Sequence, residues 1–448
     1  MHMAFEELAR LYGPVVGLKL GKQKLVLISS HDLVKKALLN DDLNGRPNGF
    51  FFRVRSFGKE KGVLFAGGPC WSQLRRFTVR HLRSFGFGQE VMGQRMEYEA
   101  RCLIDLLKKQ AEQGPVPMHN AFEVAVLNSL WWMIASKRFE PDDAKLKEIL
   151  FVVHEVFRLN DTVGGVLSHL PLLRFVLPEL SGYNELISML RRFWKFFDDE
   201  IADHEHTLDQ QQQQLPRDLI DAFLIEMRQG SRGSGSETIF DRENLLILSL
   251  DLFLAGTKTT TDTLGTMIAF LTLNPKWKEE LQYELDNVVG RDRSPVLADI
   301  PFLPKIEAFI AESQRYLLLS PLAIPHRAMK DVLLEGYVIP KDTTIVLNFH
   351  SVHTDDHHWD NPEEFRPERF LDESGRYQHN NSSIPFGLGK RRCLGEGLAR
   401  WSLFLLLTHV LHHFDFQSSD GSPSPEILGQ DGFTISPRPY YLTLKVRD

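Results

Sequence analysis

The chain has 448 residues, 43% apolar and 25% charged, a composition that suits a globular protein with a deep core. A formal net charge of −7 gives no reason to expect a nucleic-acid partner. Three cysteines, Cys70, Cys102 and Cys393, are too few over this length for a disulfide scaffold and point to a reducing compartment. The 31 Phe against 9 Tyr and 7 Trp suit a large dry interior, because a phenyl ring buries area without a polar atom to satisfy.

The first residues, MHMAFEELARLYGPV, lack an apolar stretch of signal-sequence length and read as a short amphipathic helix. The longest apolar run, 245–273, is interrupted by Asp251, Lys258 and Asp262, so no segment reads as a membrane span. Strand-like stretches fall at Pro14–Leu20 and Lys24–Ile28. Helical periodicity then dominates from about Trp71 to Leu318, with breaks at Gly and Pro. Thr207–Pro216, with its glutamine run, and the Gly- and Ser-rich Gln229–Glu237 read as exposed connections between helices rather than domain boundaries. After Arg315, short strands are expected at Val332–Leu334, Tyr337–Ile339 and Thr343–Leu347, the first two joined by Glu335-Gly336. A Pro-rich irregular segment leads to Phe386, and one strongly apolar helix follows from about Leu394 to Phe414. In the tail, Gly432-Phe433 and Tyr440–Lys445 read as a final hairpin. The sum is a mainly α fold with a small β portion, a single large domain over 1–448.

The stretch Phe386-Gly387-Leu388-Gly389-Lys390-Arg391-Arg392-Cys393-Leu394-Gly395-Glu396 carries the most chemistry. Three cations before Cys393 and a helix after it are the setting that lowers a thiol pKa. Gly389 and Gly395 allow a tight turn and close backbone approach to a flat partner, and Arg391 can pair with an anionic group on it. The stretch resembles the haem-binding signature of the cytochrome P-450 family, Phe-x-x-Gly-x-Arg-x-Cys-x-Gly, at every fixed position. The resemblance implies haem b with the Cys393 thiolate on its iron, which favours O–O cleavage. It also implies Phe386 near the sulfur and Arg391 on a haem propionate.

Further motifs extend the resemblance over nearly the whole chain. Trp71 and Arg75 match W-x-x-x-R on one helical face, and with His326 and Arg46 they are implied to be propionate partners. Glu312 and Arg315, an E-x-x-R pair, and Arg369 are similar to the family's buried ionic network behind the haem. An isolated E-x-x-R is commonly a solvated surface pair. Ala255-Gly256-Thr257-Lys258-Thr259-Thr260 resembles the family's oxygen-binding helix. Mid-helix Gly256 costs roughly 1 kcal/mol against alanine, and its expected reason is room for the helix to pass over a haem face. The hydroxyls are expected to bond to carbonyls one turn back and open a groove. Thr259 is implied to steer protons to bound dioxygen.

The family has Asp or Glu where this chain has Lys258, and an ammonium donates but cannot accept. Asp262, one turn on, is expected to restrain the lysine or partly replace the acid, and Lys258 to slow oxygen activation. His353, His357 and His358 with Asp355 and Asp356 superficially suggest zinc but occupy one polar loop without a second ligand cluster.

The pattern is most similar to the microsomal, animal drug- and hormone-oxidising branch, with arthropod features around 45–83. That implies a monooxygenase inserting one atom of dioxygen into a lipophilic small molecule by hydroxylation or epoxidation. A sesquiterpenoid or steroid hormone precursor is one such substrate class. Electrons would come from NADPH through a separate flavoprotein reductase. The substrate pocket is expected from Phe51, Phe52, Phe57, Leu252, Ala255, Thr259, Ala323, Ile324 and Phe433, mainly apolar residues. Arg76, Arg80 and Arg83 form a basic stripe suited to an acidic electron donor. The branch implies the cytoplasmic face of the endoplasmic reticulum membrane through an N-terminal anchor that this chain is expected to lack, with Val163–Pro178 as a peripheral bilayer contact. Competing readings are a haem-thiolate isomerase or dehydratase, which needs no proton relay, and a non-catalytic haem or ligand-binding protein.

Overall fold

The computed structural model describes residues 1–160, 163, 165–210, 215–230 and 239–447. Of the two expected connections, Thr207–Pro216 and Gln229–Glu237, residues 211–214 and 231–237 lie outside the described residues, while Thr207–Gln210 and Gln229–Gly230 belong to the ends of helices. After helix α1 (His2–Tyr12), strands β1 (Val15–Leu20) and β2 (Gln23–Ile28) pair antiparallel. Helices α2 (His31–Leu39), α3 (Phe50–Val54), α4 (Gly68–Ser84) and α5 (Glu90–Gln113) lead to the short strand β3 (Val116–Pro117). A helical run follows: α6 (Glu123–Ala135), α7 (Ala144–Leu159), α8 (Gly165–His169), α9 (Leu173–Val176), α10 (Tyr183–Gln210), α11 (Leu219–Gly230) and α12 (Arg242–Leu273). It continues through α13 (Pro275–Val288) and α14 (Pro304–Tyr316). Strands β4 (His326–Arg327), β5 (Val332–Leu334), β6 (Tyr337–Ile339) and β7 (Thr344–Leu347) precede α15 (Phe349–His353), α16 (Glu396–His413), β8 (Phe414–Ser418) and β9 (Tyr441–Val446).

Local chemistry sets these boundaries. Ser30, Asp143 and Asp241 accept backbone N–H bonds at the starts of α2, α7 and α12. Prolines occupy the first turns of α4, α13 and α14, where a missing N–H costs nothing. Glu335 and Gly336 both have positive φ, as the two-residue hairpin between β5 and β6 requires. The sheet order β1-β2-β7-β4 joins the N-terminal hairpin to the segment 326–347, β2 and β7 running parallel.

The expected tail hairpin does not form. Strand β9 pairs with β8 and β3, and Gly432-Phe433 lies in a turn closed by a single bridge, Gln430 with Ser436. The apolar helix ends at His413 because Phe414 and Phe416 point inward at a period of two, which makes 414–418 the nearer partner for β9.

Helices α12 and α16 are apolar on all sides and are buried accordingly, Ile247, Phe253 and Ile268 on one, Leu405, Leu407 and Val410 on the other. They cross the main core against α5, α6 and α10. Among the described residues no helix is long and apolar enough to cross a membrane.

Candidate active site

One face of the buried helix α12 is left open. Ala255 is exposed and Thr259 and Thr263 half-buried, at a spacing of four that aligns them along one stripe. The hydroxyls of Thr259 and Thr263 donate to the carbonyls of Ala255 and Thr259 at 2.8 and 2.9 Å, as expected. Thr259 and Thr263 of this stripe line a small recess whose other walls include Leu317, Phe386, Ala399 and Leu403. Gly256 has a different reason from the one expected. A Cβ there would lie 2.2 Å from Leu130, so the glycine serves close packing of α12 on α6 rather than the open face.

The cysteine loop lies across the recess from α12. Gly387 and Gly389 have φ of 70° and 69°, and a Cβ on Gly389 would meet the Leu38 carbonyl at 2.4 Å. The Cys393 amide donates to the Phe386 carbonyl at 2.9 Å, which closes the loop. Gly395 departs from expectation: it caps α16 with ordinary φ, and a Cβ there would meet nothing, so no turn demands it. The Cys393 side chain is accessible yet set deep in the protein. Burial pushes its thiol up, and the Gly395 N–H, Arg75 and Arg392 only partly offset that. The expected lowering by neighbouring cations is thus reversed, because desolvation of a thiolate at this depth outweighs them.

Four residues from remote parts of the chain converge beside the loop. Arg391 stacks on the Trp71 ring at 3.7 Å and donates to the carbonyls of Asn44 and Ala66, both at 2.9 Å. Arg75, one turn from Trp71, donates to the Arg392 carbonyl at 2.6 Å. Arg46 is buried and donates to the carbonyls of Leu64, Ile324 and Pro325. His326 is buried with Nδ1 2.9 Å from the Leu43 carbonyl. Among the described residues none of the three guanidiniums forms an ion pair. Burial and the neighbouring Arg75 bring Arg391 down to about 9, and burial with Arg391 and Arg75 lowers Arg46. Burial, Arg46 and Arg391 together lower His326. Trp71 Nε1 and Arg391 Nη1 are buried donors without a partner. A cluster of desolvated cations with spare donors is organised for an anion.

Behind the recess, Glu312 takes two bonds of 2.7 Å from Arg315 and one of 2.8 Å from the Arg366 amide, with Arg369 Nε 3.5 Å away. Lys258 is buried, absent from the recess wall, and donates to Asp262 at 2.5 Å. Of the expected pocket residues, Phe51, Phe52, Ile324 and Phe433 pack in one cluster with Phe65, whose ring lies 5.1 Å from Phe52 and 6.3 Å from Phe433. Ala323 packs instead against the β-sheet core, and Leu252 lies in the main core. Phe57, 38% exposed, stacks on Trp194 at 4.6 Å and is the outlying member. His353 is buried and accepts the Ile384 amide, apart from two groups formed with the same loop, Asp355 and Asp356 with His357, and His358 with His31 and Asp32.

Sequence reasoning missed a clasp. Asp251, one turn before Ala255, accepts from Arg55 and from the amides of Val63 and Leu64 at 2.7 and 2.9 Å. It ties the phenylalanine-bearing segment 50–65 to α12. The available signal was an acid interrupting an apolar helix.

A family model for cytochrome P-450 matches residues 1–444. The chain belongs to the cytochrome P-450 family. It is 36% identical over 446 residues to farnesoate epoxidase from Bombyx mori, covering 100% of this chain and 88% of that protein. It is 34% identical over 455 residues to cytochrome P-450 18a1 from Drosophila melanogaster, covering 100% and 83%. Against cytochrome P-450 2D4 from Rattus norvegicus the identity is 34% over 455 residues, covering 100% and 89%. As a member of this family the protein is a haem monooxygenase, an oxidoreductase whose cofactor is haem b. The P-450 residues described above fit that group. Spare donors on Trp71 and Arg391 and three unpaired guanidiniums suit its carboxylates. An accessible sulfur, open space before Gly395 and the uncovered stripe on α12 suit its iron and its flat faces.

Proposed function

We propose that this P-450 oxidises a lipophilic small molecule by epoxidation or hydroxylation, with Cys393 binding the haem iron through its sulfur. The observation that carries the reading is the recess between the Thr259–Thr263 stripe and Phe386 of the loop that bears an accessible Cys393, with an anion-seeking cation cluster packed on that same loop. Arg391, Arg75, Trp71, His326 and Arg46 hold the propionates, while Phe386 and Gly389 shape the loop around the sulfur. Glu312, Arg315 and Arg369 keep the loop's support rigid. When bound, the haem supplies dioxygen activation, and thiolate ligation favours O–O cleavage. Thr259 faces the recess with a hydroxyl able to hold a proton donor in place. Phe51, Phe52, Ile324, Ala255 and Phe433 bound an apolar substrate space, with Leu252, Ala323 and Phe57 at its margins.

Electrons come from NADPH through a flavoprotein reductase docked on exposed Arg76, Arg80 and Arg83, on the helix whose Arg75 bonds to the cysteine loop. The protein works at the cytoplasmic face of the endoplasmic reticulum membrane. Leu170, Leu172, Phe175, Val176 and Leu180 are all more than half exposed, which supports bilayer contact along α9 and its flanks. A sesquiterpenoid-like acid or ester is the substrate class suggested by the similarity to farnesoate epoxidase. The test is the absorption spectrum of the reduced, carbon-monoxide-bound protein, then NADPH consumption with reductase and a panel of unsaturated lipids. A thiolate-type spectrum and substrate-dependent consumption are expected. Loss of neither on Cys393→Ser would overturn the assignment.

A further inference from the structure

Lys258 stands where its family carries an acid, and the structure extends its expected contact with Asp262 to a residue the sequence did not suggest, Ser436. Its ammonium meets Asp262 Oδ1, while Asp262 Oδ2 accepts the Ser436 hydroxyl at 2.7 Å. Lys258 and Asp262 are 6% and 1% exposed. A buried ion pair of this kind adds little net stability, but it fixes geometry. Here the geometry fixed is that of the C-terminal segment on α12. One turn further along, the Tyr440 hydroxyl donates to the Gly265 carbonyl at 2.6 Å, and a Cβ on Gly265 would lie 3.2 Å from Pro437. Ser436 in turn closes the 430–436 turn, exchanging backbone bonds of 2.7 and 3.1 Å with Gln430. Phe433 sits in that turn, its amide bonded to the Phe157 carbonyl at 2.8 Å and its ring against Phe65 and Phe157.

We propose that Lys258, acting through Asp262 and Ser436, is a positioning residue that sets where Phe433 stands in the substrate space and thereby selects the site of oxidation. The inference rests on the reading that Phe433 bounds that space. Lys258 holds the Asp262 carboxyl aimed, Asp262 holds Ser436, and Ser436 holds the turn. The lysine's position away from the recess, beside but not among the Thr259 stripe, separates this task from proton delivery. A hydrophobic side chain at 258 leaves the Asp262 carboxyl buried without its cation, and the turn loses its anchor.

The test compares Lys258→Met, Lys258→Arg, Ser436→Ala and the Lys258→Met/Ser436→Ala double variant in the haem-loaded protein. Hydrogen exchange of amides 430–437 is read first, because it needs no turnover. Lys258→Met and Ser436→Ala should each speed exchange there about tenfold, with Lys258→Arg close to the parent. With reductase and a substrate giving two products, both variants should shift the product ratio in one direction and raise KM several-fold. Their kcat and peroxide leakage should change by less than about twofold, and the double variant should be no worse than either single one. Unchanged exchange at 430–437, additive effects, or raised leakage at an unchanged product ratio would each overturn the clamp. If Lys258→Met does not fold, Ser436→Ala decides the matter by the same readouts. If no substrate is oxidised, the exchange result still stands, and only the reading of Phe433 as a pocket residue falls.

Discussion

Replacing Asp251 with asparagine keeps the shape of the clasp and removes its charge. In the parent, Asp251 Oδ2 accepts the Val63 and Leu64 amides while Oδ1 faces Arg55, and both side chains are under one-tenth exposed. The asparagine carbonyl can keep the two amides, but its NH₂ then points at a guanidinium, donor against donor. Breaking a buried pair in this way costs about 3–5 kcal/mol, since Arg55 remains buried without compensation. Among the described residues Arg55 shows no spare acceptor, because its Nη1 is already a buried donor without a partner and its guanidinium lies over the Phe65 ring, 5.2 Å away. The loss should appear first as local opening of segment 50–65, at about 1.4 kcal/mol per tenfold roughly two to three and a half orders of magnitude in the opening equilibrium. Amide exchange at Val63 and Leu64 measures it directly, and weaker binding of apolar ligands should accompany it. The double variant Asp251→Asn/Arg55→Met removes both charges while keeping an acceptor for the amides, and should recover most of the protection. If Asp251→Asn left exchange at these amides unchanged, or the double variant opened as far as the single one, the clasp would not be what holds the segment.

Glu312→Gln leaves the fully buried Arg315 uncompensated and should lower stability by about 3–5 kcal/mol, read as a fall in denaturant midpoint; a loss under about 1 kcal/mol would contradict the network. Gly389→Ala forces a left-handed φ and a clash with the Leu38 carbonyl, so it should cost roughly 3 kcal/mol and weaken haem retention, seen in the ratio of haem to protein absorbance. Burial holds the Glu307 carboxyl up at about 7 against the pull of Arg400, with Glu284 adding to the rise. Its folded pKa therefore exceeds the unfolded one, so stability is lost as pH rises from the ordinary carboxylate range through about 7. Discounted for partial exposure, that loss is roughly 1 kcal/mol. Glu307→Gln should remove it, and the Tm advantage of the variant over the parent should grow between about pH 5 and about pH 8.

The chemistry of the site was written locally in the chain. The cysteine loop is one uninterrupted stretch, Trp71 and Arg75 share a helical face by spacing alone, and the hydroxyls of α12 bond one turn back because helix geometry dictates it. The strands at 15–28 and 332–347 were legible for the same reason, since alternation and turn residues are short-range signals. Properties that depend on what lies opposite a residue were not legible. Gly256 looked like room for a cofactor, and only the packing of α6 revealed Leu130 against it. Strand β8 (Phe414–Ser418) was not foreseen, only its first residue having been read as a helix end, because its partner β9 is remote in sequence. Arg55 and Asp251 are 196 positions apart, and no periodicity links them. The cations near Cys393 suggested a lowered thiol pKa, whereas the depth of the site raised it, because desolvation is a property of the surrounding volume and not of chain neighbours. Residue identity and spacing determined which groups the protein possesses; the tertiary structure alone decided which of them face one another, and how far from water.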